Sequence, residues 1–391
     1  MAETPALAGG GWLPLAGIRA VDFCMFLPGP FCSAILADLG AEVTKVEPLD
    51  GDPGRSYIPA QFRMDNRNKR SLALNLKAPE SRAVVERLAK QSDVALEGFR
   101  PGVAQRLGID YETLARANPR LIYCSLSGYG QTGPWRERPG HDVNYVAAAG
   151  GLAFPGQWLK APVRPALAIA DMGGGSFAAV AVLAALAERE KSGRGIRLDL
   201  SLFESAFFWA AARHSLSHEA DPKAHIFPAN DVFETRDGKR ITLGILEQHF
   251  WENFARAVAD VAPELAGERY GSDTARRKHG DELSAKIAAL IRTRSAEEWL
   301  RLCDANDVPV DACLTPAQAA ELEQIRARAD VAELGGERFA LFPVHAAGRR
   351  AGSIRRGVPG PGEHTREVLA EIGFDDGEVA ALARSGAVRA G

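Results

Sequence analysis

Short apolar runs with strand periodicity alternate with stretches of helical spacing through the first third of the chain, and this alternation restricts the fold more than any other feature. Residues 18–23 form a brief apolar run, residues 31–39 carry helical spacing, and residues 42–47 alternate charge with valine. The pattern repeats, with a strand over 71–76, a helix over 79–91 with proline in its first turn, and strands over 93–97 and 121–127. Such an order predicts the α/β class, with a parallel sheet covered by helices on both faces. A chain of 391 residues, 46% of them apolar, can bury a large core and folds as more than one domain.

Beyond the strand at 121–127 lies a long irregular stretch, 128–165, in the place where open α/β sheets receive ligands. Gly173-Gly174-Gly175 opens an apolar helix running to about residue 188, and Ser201 with Glu204 has capping-box spacing for a helix toward His214. The character changes near Asp221-Pro222. Two alternating runs around Asp237-Gly238 signal a hairpin over 232–244, and helices are expected over 249–258, 281–292, 296–306 and 316–327. A Gly- and Pro-rich segment, 352–362, then leads into a helical run over 363–372. The expected organisation is a large parallel-sheet domain over 1–220, a smaller α+β domain over 221–330, and a return to the large domain over 331–391.

Charge excludes some functions. Lys and Arg number 47 against 50 Asp and Glu, a net -3, which leaves no electrostatic footprint for nucleic acid or an anionic membrane. Any anionic ligand must be held by local cations. Five scattered cysteines with no C-x-x-C pair indicate neither a disulfide framework nor a zinc site, and no apolar run is long enough to cross a bilayer, so a cytoplasmic protein is expected. His214 and His218 lie one helical turn apart without a third ligand nearby, and no metal is expected. Gly128-Tyr-Gly130-Gln-Thr-Gly133 has dinucleotide-fingerprint spacing, the basis for a rival reading as an NAD(P)-dependent dehydrogenase. Pro134 and Pro139 follow where a helix should open, and no acidic residue ends a neighbouring strand about 20 residues on, so a turn-rich loop is the better reading.

Several segments together resemble one family. Leu15-Ala-Gly-Ile-Arg-Ala-Val-Asp22, Leu36-Ala-Asp-Leu-Gly-Ala-Glu-Val-Thr-Lys-Val-Glu47, Asn68-Lys-Arg-Ser71, Glu97-Gly-Phe-Arg-Pro-Gly102, Gly128-Tyr-Gly-Gln-Thr-Gly-Pro134 and Gly362-Glu-His-Thr-Arg-Glu-Val-Leu369 resemble the family III CoA transferases and their racemase branch, across nearly the whole chain. The resemblance implies an interlocked homodimer with a Rossmann-like large domain built from both chain ends and a smaller central domain, and an acyl-CoA substrate, with coenzyme A as part of the substrate and no further cofactor. Gly140-His141-Asp142-Val143-Asn144-Tyr145 looks like the racemase form of the active-site loop. It makes His141 a candidate catalytic base and Gly140, Asp142 and Tyr145 candidate substrate contacts. Asp171 matches the family's acidic position, which is implied to be a base in racemases and the nucleophile forming an aspartyl-CoA anhydride in transferases; read locally, it is a helix cap. Glu247 resembles the glutamate that orients the histidine. No glycine-rich loop like that of many transferases follows between 225 and 267. Leu74, Asn75, Leu76, Lys77, Ala95, Leu96, Glu97, Arg100 and Arg106 are the implied coenzyme A contacts.

Two positions depart from the family pattern. Pro48 stands where many relatives place an arginine, with Lys45, Arg55 or Arg70 as candidate replacements. Leu167 stands where racemases commonly pair an asparagine with the aspartate. Inverting a carbon beside a thioester requires proton removal from one face and delivery to the other, so a histidine and a carboxyl group on opposite sides suffice. Donors at a helix start, Gly173 to Gly175 or the Asp171 amide, are candidates for holding the enolate oxygen. The expected activity is racemisation or epimerisation of 2-methyl-branched acyl-CoA thioesters, the alternative being CoA transfer between carboxylic acids through Asp171. A catalytically silent CoA-binding protein is a third possibility.

Overall fold

A computed structural model describes residues 11–214, 216, 221 and 223–390; His218 lies outside them. The chain divides into two units. The first comprises Met1–Ala149, Ala166–Phe208 and Leu322–Gly391, and the second Gly150–Pro165 and Trp209–Glu321. The second unit thus takes in residues 150–165 as well as the central segment. Trp158 explains that excursion, because its backbone N–H donates to Asp231 Oδ2 (2.8 Å) and its indole N–H to Asp281 Oδ1 (2.8 Å).

In the first unit, β1 (Arg19–Asp22), β2 (Glu42–Glu47), β3 (Lys69–Ala73), β4 (Val94–Glu97), β5 (Ile122–Ser127) and β6 (Arg197–Ser201) form one parallel sheet in the order β3-β2-β1-β4-β5-β6. The chain builds outward from β1 to β3, returns to β4, and builds the other way. The crevice beyond the carboxyl ends of β1 and β4 is therefore the topological switch point. Sequence reading missed β6, whose Arg-Leu-Asp-Leu-Ser alternation is that of an edge strand with one face toward solvent.

Side chains alternate across the sheet and feed two cores. Val21, Leu72, Ala95 and Tyr123 face one side with Val84, Val85 and Leu88 of the Ser81–Gln91 helix and with Val368, Leu369 and Leu382 near the carboxyl terminus. Ala20, Val43, Leu96 and Cys124 face the other, against the Pro28–Asp38 and Ile169–Ser192 helices. The latter is 24 residues long and apolar enough to cross a membrane by composition. It is longer than the apolar run read from sequence, and Ala178, Ala179, Val182, Ala185 and Leu186 are buried in this core.

Three charges lie inside the same layer. Asp22, Lys45 and Lys69 are fully buried. Lys69 Nζ donates to Asp22 Oδ2 (3.2 Å), the Pro30 carbonyl (3.0 Å) and Asn66 Oδ1 (3.0 Å), which uses every ammonium hydrogen. Lys45 Nζ donates to the Cys24 carbonyl (2.8 Å) and pairs with Asp52 Oδ2 (2.8 Å).

In the second unit β7 (Asn230–Glu234), β8 (Arg240–Gly244) and β9 (Val310–Ala312) make an antiparallel sheet. Trp251, Phe254, Leu283, Ile287 and Trp299 of its helices pack a separate core. The helix expected over 316–327 is two short ones, Pro316–Ala319 and Glu323–Ala327, interrupted where Leu322 is extended (φ -60°, ψ 140°).

Candidate active site

The stretch after β5 is not wholly irregular, since Asp142–Ala148 forms a helix with His141 at its N-cap. Asn144 Oδ1 accepts the His141 backbone N–H (3.0 Å), a capping-box contact that fixes the turn into this helix. Sequence reading quoted Asn144 without a role, although its spacing from His141 is the signal for one. Tyr145 is 6% exposed and its hydroxyl donates to the Gly140 carbonyl (2.6 Å). A Cβ at Gly128 would stand 2.5 Å from that hydroxyl oxygen, and one at Gly140 would stand 2.7 Å from the ring. Gly128, the first glycine of the fingerprint-like run, thus makes room for a tyrosine. With Tyr129 edge-on at 5.2 Å, burial pushes the Tyr145 phenol up to about 12. Tyr145 is a wall of the loop.

Asp171 does not cap its helix. The helix begins at Ile169, which places Asp171 at its third position, and the Ala168 N-cap offers no side-chain acceptor. The cap comes from elsewhere in the chain: Asp142 Oδ1 accepts the N–H groups of Ala170 (2.8 Å) and Asp171 (3.3 Å). This clamp brings together the two regions that carry His141 and Asp171. His141 is exposed. Burial first, and then the Asp142 charge, push the Asp171 carboxyl up to about 7.

Two expectations change here. The Asp171 amide is spoken for by Asp142. Gly173, Gly174 and Gly175 lie beyond the first turn, where helical amides bond to carbonyls four residues back, so they are not free donors. Their use is packing: a Cβ at Gly175 would stand 2.6 Å from the Pro28 carbonyl oxygen, and one at Gly174 would stand 2.4 Å from Leu202. At the start of the Asp142–Ala148 helix, by contrast, the Asp142 and Val143 amides have no acceptor among the described residues.

A cavity of about 370 Å³ opens beyond the carboxyl ends of the inner strands, and Leu74, Asn75, Leu76 and Lys77 line it with Phe23 and Pro48. Ala95 and Leu96 do not, because both are core residues of the central strand β4, one on each face of the sheet. Glu97 is 2% exposed and turns inward, accepting the Phe99 N–H (2.8 Å), with burial raising its pKa. None of the candidate replacements for the arginine missing at Pro48 is free. Lys45 is buried in its ion pair, Arg55 grips Glu47 with Nε (3.0 Å) and Nη2 (2.7 Å), and Arg70 is held by Glu367 (3.1 Å) and Glu371 (2.6 Å). Lys77, Arg100 and Arg106 are exposed, and among the described residues none of them has an ion-pair partner.

In the second unit Glu247 is the exposed N-cap of the Gln248–Ala257 helix. His214 lies 5.1 Å, ring to ring, from His225, and no group of three metal-ligating side chains occurs among the described residues.

A sequence model for CoA-transferase family III matches residues 15–365. The chain belongs to that family. Among family III proteins, the alpha-methylacyl-CoA racemase of Mus musculus is 34% identical over 381 residues, spanning 94% of this chain and 96% of the mouse protein. The succinyl-CoA–L-malate CoA-transferase beta subunit of Chloroflexus aurantiacus is 34% identical over 391 residues, spanning 92% and 94%. A crystal structure of a CaiB/BaiF family protein from Brucella suis matches with a TM-score of 0.83 at 26% identity, covering 92% of this chain and 99% of that one. Racemase and transferase relatives thus stand at equal identity, so this family III enzyme is either an isomerase or a transferase, and its own site chemistry must discriminate.

Proposed function

We propose that the chain is a racemase or epimerase of 2-methyl-branched acyl-CoA thioesters in which His141 and Asp171 exchange protons with the carbon beside the thioester. The observation that carries this reading is geometric: the helix start that bears the half-buried Asp171 is clamped by Asp142, the residue next to His141, and burial and the Asp142 charge raise that carboxyl. A racemase needs each group to act as acid in one direction and as base in the other. Proton exchange is balanced only when the two groups hold a proton about equally well. An ordinary aspartate at ~3.9 against an ordinary imidazole at ~6.5 would be mismatched by ~3.5 kcal/mol. Burial and the Asp142 charge move the Asp171 carboxyl in the direction that narrows such a gap.

The chain's own residues supply the remaining needs. The unpaired Asp142 and Val143 amides are donors available to the thioester oxygen as it becomes an enolate. Coenzyme A would occupy the cavity lined by Leu74 to Lys77, its phosphates drawing on Lys77, Arg100 and Arg106. Glu247 would orient His141, as the family resemblance implies. The reaction calls for no metal or redox cofactor. CoA transfer is the second reading, favoured by the transferase relatives, with Asp171 as nucleophile.

Incubating the protein with one enantiomer of a 2-methylacyl-CoA in deuterium oxide distinguishes the two. Deuterium incorporation at the α-carbon with loss of chirality is expected; consumption of the thioester only when a free carboxylic acid is added would transfer the assignment to the second reading. A homodimer is also proposed, and the first unit leaves Val180 (61%) and Phe208 (63%) exposed, as a surface awaiting a second copy would. Sedimentation is expected to give twice the 41.9 kDa chain mass at micromolar concentration, and a monomer there would remove this part.

A further inference from the structure

We propose that Asp142 is a positioning residue for the reaction, clamping the backbone at Asp171 and setting an unneutralised negative charge beside that carboxyl. The proposal rests on the racemase reading. Asp142 is 6% exposed, and among the described residues no lysine, arginine or histidine forms an ion pair with it. A buried carboxylate normally acquires a cation. This one is instead satisfied by two amides of another helix, at 2.8 and 3.3 Å, in a turn whose own N-cap, Ala168, provides nothing.

Two consequences follow from that single contact. The first turn of a helix frays unless its orphan N–H groups find acceptors, so Asp142 fixes the backbone from which the Asp171 side chain projects. Its charge also opposes ionisation of Asp171, adding to the effect of burial. Leu167 sits at the position where a pairing asparagine is common in racemases, yet it is 67% exposed, and no side chain among the described residues donates a hydrogen bond to the Asp171 carboxyl. Beyond burial, which is the larger cause, tuning falls to Asp142. Other titratable groups do not compete for it. The Tyr145 phenol on the same short helix is neutral, and His141, Cys32 and Asp38 of the 28–38 helix, Cys124 of β5, and Arg197 and Asp199 of β6 do not contribute to the shift.

Asp142→Asn keeps an oxygen for the two amides and removes the charge, whereas Asp142→Ala removes both. The carboxyl infrared band of Asp171, assigned by its loss in Asp171→Asn, can be followed against pH in the full-length protein. Half-protonation near 7 is expected in the wild type, moving down by about 0.5 to 1 pH unit in Asp142→Asn. The acid limb of kcat/KM for α-hydrogen exchange is expected to move the same way. Asp142→Ala is expected to lose about tenfold more kcat than Asp142→Asn, with KM little changed, because it also frees the helix start. An unchanged Asp171 titration in folded Asp142→Asn would overturn the proposal. If the band moves but the wild type exchanges no α-hydrogen, the racemase reading fails and the positioning role stands. Asp142→Ser provides a second neutral acceptor, read by the same two outcomes, should the asparagine variant not fold.

Discussion

Asp171→Asn is expected to lower kcat for α-hydrogen exchange by about 10²- to 10⁴-fold, the range for losing a positioned acid or base. Coenzyme A affinity should be retained, because the cavity lined by Leu74 to Lys77 does not include it. Steady-state exchange rates and a direct CoA titration check the two halves. In the wild type, activity requires one proton shared between two groups, so kcat/KM should be bell-shaped. The shape should be the same for both enantiomers, since an equilibrium constant of one ties the two kcat/KM values together at every pH. Asp171→Asn should affect stability in the sense opposite to its effect on activity. The folded-state pKa of Asp171 lies above its ordinary 3.8, so its ionisation opposes folding from about pH 4 upward, and fully above about pH 7. Asp171→Asn should therefore stabilise the protein by on the order of 1–4 kcal/mol at pH 8 and by little at pH 4, as read by urea unfolding. Destabilisation at pH 8 would contradict the burial argument.

Lys69→Met is the substitution expected to damage the fold most. It leaves the Asp22 carboxylate buried with only the Ser33 hydroxyl (2.5 Å) and Cys24 amide (2.9 Å) bonded to it, and with Lys45 as its remaining nearby cation. Breaking a buried pair from one side costs about 3–5 kcal/mol. Removing both charges, in Asp22→Asn with Lys69→Met, should recover part of that loss, so a double-mutant cycle in urea isolates the pair. Although burial alone would raise the Asp22 pKa, Lys69, Lys45, Ser33 and the Cys24 amide hold it below the usual carboxylate range. Its contribution to stability is thus present above about pH 4 and is lost as pH falls through the lower folded value. Equal unfolding midpoints for wild type and Lys69→Met would show that the pair contributes nothing.

The fold was legible wherever local pattern and tertiary burial agree. Buried parallel strands such as Glu42–Glu47 announce themselves through β-branched residues, and the capping-box spacing of Ser201 and Glu204 marks the start of the Leu202–Arg213 helix. The Arg197–Ser201 strand was passed over because a half-exposed edge strand carries polar residues. The Asp142–Ala148 helix was passed over because two turns among glycines and prolines have too short a period to recognise.

At the site, sequence marked His141, Asp171 and the Leu74 to Lys77 segment, since motif order along the chain survives folding. It carried along Ala95 and Leu96, whose side chains the central strand buries, and it proposed the Gly173 to Gly175 amides as donors when the helix already uses them. By itself the sequence determined the parallel α/β architecture, which follows from local periodicity, while His141 and Asp171 were marked by the resemblance of their motifs to family III. Only the tertiary structure decided that Lys45, Arg55 and Arg70 are occupied by internal carboxylates, and that a charge at Asp142 caps a helix starting 27 residues later and sits beside Asp171. Hydrogen bonds and Coulomb interactions depend on distance in space, and separation along the chain does not encode that distance.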